Sequence, residues 1–182
     1  MHVIDDVILV GWLVFWVYWF VSAIGVKAGN TRLTRFAGLR VAVGLLIFLL
    51  LRLRLFRGHA LTGDALAQAI GLALFLLGLA LAVWARLYLG RNWGMPMTEK
   101  ADPELVRTGP YRFVRHPIYS GIILAVVGTA LAVSVDLLIV AALLSAYFVY
   151  SAVVEERNMT RLFPGAYPDY KRSTKMLLPF IF

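Results

Sequence analysis

Long apolar stretches separated by short basic ones make up most of this chain. The first, Val7 to Val26, runs 20 residues without a charge, and at about 1.5 Å per residue such a helix matches a hydrocarbon core of about 30 Å. The pattern predicts a membrane span. Asp5 and Asp6 precede it and no Lys or Arg does, the reverse of a cationic signal-peptide start, so the span is expected to be retained. A second run, Val41 to Phe56, passes 11 uncharged residues before Arg52 and Arg54 interrupt it. Its Arg end must snorkel or face protein. The third run covers about Ala65 to Leu89, with Gln68 near its start and Arg86 near its end.

From Pro117 to Val154 only Asp136 is charged. As one helix this stretch would be about 57 Å long, far more than a single crossing requires. A C-terminal helical hairpin turning near Ser134-Val135-Asp136 resolves the excess and brings the count to five. The expected fold is all-α: five transmembrane helices with the termini on opposite sides. Trp12, Phe15, Trp16 and Trp19 recur at i, i+3, i+4 and i+7 on the first span, a stripe for helix or lipid packing, or one wall of a lipid-substrate tunnel.

Composition supports the membrane reading. The chain is 61% hydrophobic and 15% charged over 182 residues, where soluble domains are about half apolar and about a quarter charged. So small a globule could not hide that apolar surface from water. With no repeat or linker, residues 1–182 read as one membrane domain, the first three spans in 1–88 and the polar motifs in 89–182. Cysteine is absent, which excludes disulfides, thiolate metal sites and a cysteine nucleophile. The imidazoles of His2, His59 and His116 match no metal-ligand spacing, so no metal is expected.

Of the 18 cationic residues 14 are Arg, and the net charge is +8. In so apolar a chain this points to an anionic leaflet and the lipid bilayer as partner, not to nucleic acid. With the N-terminus outside, 15 of the 18 cations face the cytoplasm, as the positive-inside rule requires. Arg52, Arg54 and Arg57 remain outside. The two long polar segments, Gly90 to His116 and Glu155 to Phe182, then share the cytoplasmic face.

Within the first of these, Gly109-Pro110 reads as a turn, His116 is biased to extended backbone by the proline after it, and Pro117 suits the first position of a helix. A helix start at the membrane surface presents unpaired N–H groups and partial positive charge, which suit a carboxylate or phosphate. Tyr111, Arg112, Arg115 and Tyr119 also suit plain interfacial anchoring. In the second segment Glu155 and Glu156 point about 100° apart on a helix, so one can face a cavity while the other pairs with Arg or meets water. Both clusters lie at the same ends of consecutive hairpin helices and are expected to face one cytoplasmic site.

The stretch GPYRFVRHPIYSG from Gly109 to Gly121, followed by EERNMTRLFPGAYPDY from Glu155 to Tyr170, resembles the isoprenylcysteine carboxyl methyltransferase and phospholipid methyltransferase superfamily. LGRNWGMP, Leu89 to Pro96, is similar to its bacterial branch, which implies a bacterial inner membrane. The resemblance covers roughly Leu89 to Pro179. It implies S-adenosylmethionine as cofactor, enclosed by Gly109, Tyr111, Arg115, His116, Pro117, Tyr119, Gly121, Glu155 and Glu156, with Arg112 and Glu156 as catalytic residues. Tyr111, Tyr119 or Tyr167 could sit against the cofactor's sulfonium. No glycine-rich fingerprint follows a strand, so a soluble Rossmann-type methyltransferase has no support.

The implied acceptor is a lipophilic small molecule or lipid-anchored group entering from the bilayer, either a prenylcysteine-like carboxylate or a phospholipid amine. Members acting on isoprenylcysteine often carry a His where this chain has Asp102-Pro103, and an Arg one turn before the Glu pair where it has Tyr150, Ser151 and Ala152. Arg86, Arg91 or Arg112 are the substitutes available to hold a carboxylate. Two other classes remain open: a membrane reductase using NADPH, and a non-catalytic membrane subunit. The topology is testable directly. Reporter fusions at Asp102 and at the C-terminus should lie on one side of the membrane, and a fusion at Asp64 on the other; a cytoplasmic Asp64 overturns the arrangement.

Overall fold

The computed structural model describes residues 3–24, 33–52, 64–94, 97 and 104–179. Six helices are present among them: α1 Val3–Ser22, α2 Leu33–Arg52, α3 Ala65–Leu89, α4 Pro117–Ala132, α5 Leu138–Leu162 and α6 Ala166–Ser173. Helices Val3–Ser22, Ala65–Asn92 and Val135–Leu162 are long and apolar enough to cross a membrane, while Gly38–Leu49 and Pro117–Ala132 are shorter apolar helices. Lys27, Arg32, Arg54, Arg57, His59 and the segment from Lys100 to Pro103 lie outside the described residues.

The apolar pattern and the helices differ most at α1 and α2. Helix α1 starts four residues before the apolar run, taking Asp5 and Asp6 into its first turn, where the positive end of the helix dipole favours acids. Helix α2 likewise starts at Leu33, well before Val41. The third apolar run and α3 coincide. Asp64 caps α3, its Oδ1 accepting from the N–H groups of Leu66 and Ala67 at 3.0 and 3.1 Å, which satisfies two of the orphan donors of the first turn. The hairpin turn also falls where expected, α4 ending at Ala132 and a short 3-10 turn at Val135–Leu137 leading into α5.

The hairpin is not the closest pair, however. Helices α3 and α4 pack antiparallel through small residues. Buried positions on α3 (Gly71, Phe75, Gly78, Ala82, Ala85) and on α4 (Ile118, Gly121, Ala125, Gly128, Ala132) recur at alternating steps of three and four, the seam of a left-handed pair. A Cβ on Gly78 would lie 2.4 Å from the Ala125 nitrogen and 2.5 Å from the Gly121 oxygen; one on Gly128 would lie 2.3 Å from the Phe75 nitrogen. Backbone therefore meets backbone. In lipid, where tails are as apolar as leucine, close packing of this kind is what holds helices together.

Helix α1 joins this pair by side chains. Gly11 sits over the Phe75 ring, and Trp12 Nε1 donates to Thr129 Oγ1 at 3.1 Å. Phe15 and Trp19 are buried whereas Trp16 keeps 44% of its surface exposed, so the aromatic stripe divides between core and periphery. Helix α5 stacks Phe148 on Tyr119 of α4, with ring centroids 4.5 Å apart. Hydroxyls along α5 are satisfied by the preceding turn, Ser145 bonding Ala141 O and Ser151 bonding Tyr147 O.

The α3–α4 contact yields a test. Gly78→Ala should force the backbones apart and cost about 1–3 kcal/mol, the range for overpacking, lowering the melting temperature of detergent-purified protein. Gly44→Ala on α2, whose Cβ would meet nothing within 4 Å, should melt like the parent.

Candidate active site

The site forms where α4 begins and α5 ends. Gly109 adopts φ +60° with the Tyr88 ring 2.5 Å from where its Cβ would stand, so only glycine fits this bend. A 3-10 turn over Gly109–Arg112 follows, and Pro117 opens α4 as its first residue. The backbone between is held by the C-terminal segment: the N–H groups of Arg115 and His116 donate to Lys175 O at 2.8 Å and Met176 O at 3.1 Å, and Ser120 Oγ donates to Leu177 O at 2.6 Å. Tyr170 of α6 donates to Tyr111 O at 2.6 Å.

Two carboxylates from α5 meet this strap and play different parts. Glu156 is buried, its side chain only 2% exposed; Arg115 Nε donates to its Oε1 at 2.6 Å and Lys171 Nζ lies 2.7 Å from its Oε2. Arg115 also donates to the carbonyls of Lys171 and Thr174, so one guanidinium joins α5, α6 and the strap. Glu155 accepts from Tyr119 Oη at 2.5 Å and from the Met97 N–H at 2.8 Å, both at Oε1. His116 lies between the two, Nδ1 3.5 Å from Glu155 Oε2 and Nε2 3.5 Å from Glu156 Oε1, with its ring parallel to that of Tyr119 at 5.4 Å. Met97 takes a positive φ of 62°, a strained conformation for a side-chain-bearing residue, while its N–H reaches Glu155.

A cavity of about 690 Å³ opens in front of Glu155. Arg115, His116, Glu155, Tyr167 and Tyr170 line its polar end, and Trp16, Trp19, Phe20, Trp93 and Ile122 its apolar end. Burial first, then Tyr170 and Glu155, push the Tyr111 phenol well above its ordinary range. Burial and the Glu156 charge do the same to Tyr167. Both phenols therefore stay protonated and uncharged at neutral pH, able to donate, accept or stack.

Among the residues expected to enclose a cofactor, Tyr111, Arg115, His116, Tyr119 and Glu155 share the cavity wall. Glu156 stands behind it, in the ion cluster. Gly109, Pro117 and Gly121 shape backbone: the bend, the helix start, and the contact with Gly78. Arg112 is exposed, its guanidinium 4.4 Å over the Phe113 ring and outside the cavity lining. Ser151 and Ala152, at the positions where the resemblance to isoprenylcysteine-type members implied an Arg, are fully buried. Residues 174–177 had no motif to mark them, because they act through main-chain carbonyls that any side chain can supply. Tyr147 and Phe148 line the cavity from an apolar run that read only as span, and Trp93 from the polar segment after α3, where no role had been read for it.

Comparison with known proteins now decides the family. The profile of the phospholipid methyltransferase family matches residues 66–166, from α3 through α5. The chain belongs to this family. It is 31% identical over 144 residues to the nickel-cobalt-cadmium resistance protein NccN of Alcaligenes xylosoxydans xylosoxydans, covering 77% of this chain and 64% of that one. It is 33% identical over 118 residues to the protein-S-isoprenylcysteine O-methyltransferase of Xenopus laevis, 63% of this chain and 41% of that one. A methanethiol S-methyltransferase of Bradyrhizobium diazoefficiens matches at 39% over 70 residues, 38% of this chain and 24% of that one. The chain thus spans less than two thirds of the length of each of these relatives.

The family match ends inside α6, before Lys171 and the strap that fix Arg115. Arg115→Ala would leave the buried Glu156 carboxylate with Lys171 as its remaining cation, and should cost a part of the about 3–5 kcal/mol typical of an uncompensated buried charge. Arg115→Lys should rescue little, since an ammonium lacks the fork needed to serve Glu156 and two carbonyls together. Thermal melting of the two variants beside the parent checks both statements.

Proposed function

We propose that this protein is an integral-membrane methyltransferase that uses S-adenosylmethionine and methylates an acceptor with an apolar tail. The observation that carries the reading is the convergence of Glu155, His116 and Tyr119 on one cavity whose other end is aromatic and lies among membrane helices. Its volume of about 690 Å³ falls in the range of about 300–1,000 Å³ common for small-molecule sites. The residues fit the cofactor. Glu155 has one oxygen taken by two donors and the other facing His116, which suits an amine or ribose hydroxyls.

When bound, the cofactor would supply an activated methyl group on a cationic sulfonium. The chain's own task is then alignment and exclusion of water, with no covalent nucleophile required. Tyr119 and the Met97 N–H hold Glu155 in one rotamer. Arg115, fixed by Glu156, sets the backbone from which His116 projects. The apolar end supplies a seat for an acceptor tail. A carboxylate acceptor needs no base at neutral pH, whereas an ammonium must first lose a proton. Relatives named for isoprenylcysteine O-methylation and methanethiol S-methylation favour an acceptor on a thioether or thiol scaffold. We rank a prenylcysteine-like carboxylate first and a phospholipid amine second.

Titration calorimetry should show binding of S-adenosylmethionine and none of NADPH; the reverse result removes the proposal. Glu155→Gln should weaken cofactor binding about 10- to 100-fold, as expected for a lost charge-assisted hydrogen bond of about 1.5–3 kcal/mol, without lowering the melting temperature. Radiolabelled methyl transfer is to be compared on a farnesylated cysteine analogue, phosphatidylethanolamine and a short thiol in one detergent. Label in the phospholipid alone reverses the ranking of acceptors, and label in the thiol alone rules out the apolar tail.

A further inference from the structure

Arg86 is a buried charge outside the Glu155–Glu156 cluster. It lies on α3, 4% exposed, near the end of an otherwise apolar helix, where a charged side chain is expensive and marks function more often than packing. Its contacts reach three segments. Nη1 donates to Gly90 O at 2.7 Å, at the end of its own helix; Nη2 donates to Ser22 O, the last residue of α1. The guanidinium face rests 4.7 Å from the centre of the Trp93 ring, and Trp93 meets Trp19 of α1 edge to face at 5.6 Å.

Each of these segments supplies cavity wall. Trp19, Phe20 and Ala23 come from the end of α1, and Leu89, Asn92 and Trp93 from the end of α3. Helix α1 has no glycine seam like that of α3 and α4. It is attached by side chains: buried Ile8, Phe15 and Trp19, Gly11 over Phe75, the Trp12–Thr129 hydrogen bond, and Arg86 at the end nearest the site. None of the hydrogen bonds, ion pairs and ring contacts described for Arg86 involves Arg115, His116, Tyr119 or Glu155. Arg115 thus braces the Glu156 cluster and Arg86 the wall made by the end of α1 and Trp93, with Tyr111 the cavity residue that also feels the Arg86 charge.

We propose that Arg86 is a positioning residue that sets the Trp19–Trp93 corner and so determines which acceptor tails are taken. It acts through α1 and Trp93 and need not touch either substrate. The inference rests on the methyltransferase reading for its kinetic arm and stands without it for its structural arm.

The chain has no cysteine, so two can be introduced cleanly. Spin labels at Ile24 and Leu87, which are 82% and 64% exposed, report the gap between the ends of α1 and α3. The parent should give one narrow distance distribution. Arg86→Gln should broaden and lengthen it, and Arg86→Lys, with a single ammonium for two carbonyls, should restore it in part. In the kinetic arm Arg86→Gln should raise KM for the farnesylated cysteine analogue about 10-fold, with kcat and the Kd for S-adenosylmethionine within twofold of the parent. Trp93→Leu should raise the same KM, and the double variant should fall short of the product of the two effects. An unchanged distance distribution overturns the proposal, as does a parallel loss of cofactor affinity, which would make Arg86 a support for the whole site. Should the parent transfer methyl to no acceptor, the function above fails while the spin labels still decide the role of Arg86.

Discussion

Everything at the site depends on how closely α3 and α4 approach. With Gly71 and Gly78 against Gly128 and Gly121, the two backbones touch, and the first turn of α4 is fixed beside the last turn of α3. Gly109 repeats the device beside the end of α3, bending the chain under Tyr88. His116 and Tyr119 therefore project from a base that cannot slide along its partner without backbone clashes. A pair held by long side chains would tolerate small rotations, and one step of rotation on α4 would carry Tyr119 away from Glu155.

On that base the polar end of the cavity is overdetermined. Glu156, Arg115, Lys171 and the carbonyls of the strap form one connected cluster, in which the burial cost of each charge is offset by several partners. Glu155 is then free to face the cavity because its neighbour in sequence carries the structural load. Adjacent carboxylates on a helix point in different directions, and here that divergence puts Glu156 in the buried ion cluster and Glu155 on the cavity wall.

Much of this was legible in the sequence, for definite reasons. The ends of α3 and the turn at Ser134 to Leu137 follow from charge, capping and span length, which are local. The meeting of the two polar motifs follows from hairpin topology. What stayed hidden depends on partners far along the chain. The glycine seam was invisible because its seven-residue spacing on two helices means nothing until the helices are paired. The division between Glu155 and Glu156, the exposure of Arg112 and the strap at 174–177 are settled by tertiary contacts that no local pattern encodes. Arg86 shows both sides: its presence in an apolar helix marks it, yet only the structure shows that carbonyls of two helices take its donors, where a substrate carboxylate had been an open possibility.

The contrast between the two ends of the cavity has a chemical consequence. The end that would hold the cofactor is built from residues locked by ion pairs, so it is suited to one invariant ligand. The opposite end is built from aromatic side chains on α1 and on the segment after α3, apart from the Glu156 cluster, so its shape can change by substitution without disturbing those ion pairs. Relatives named for acceptors as different as an isoprenylated cysteine and methanethiol are what such a division permits. On the proposed function, acceptor range would follow from how α1 is seated, and methyl donation from the α3–α4 base.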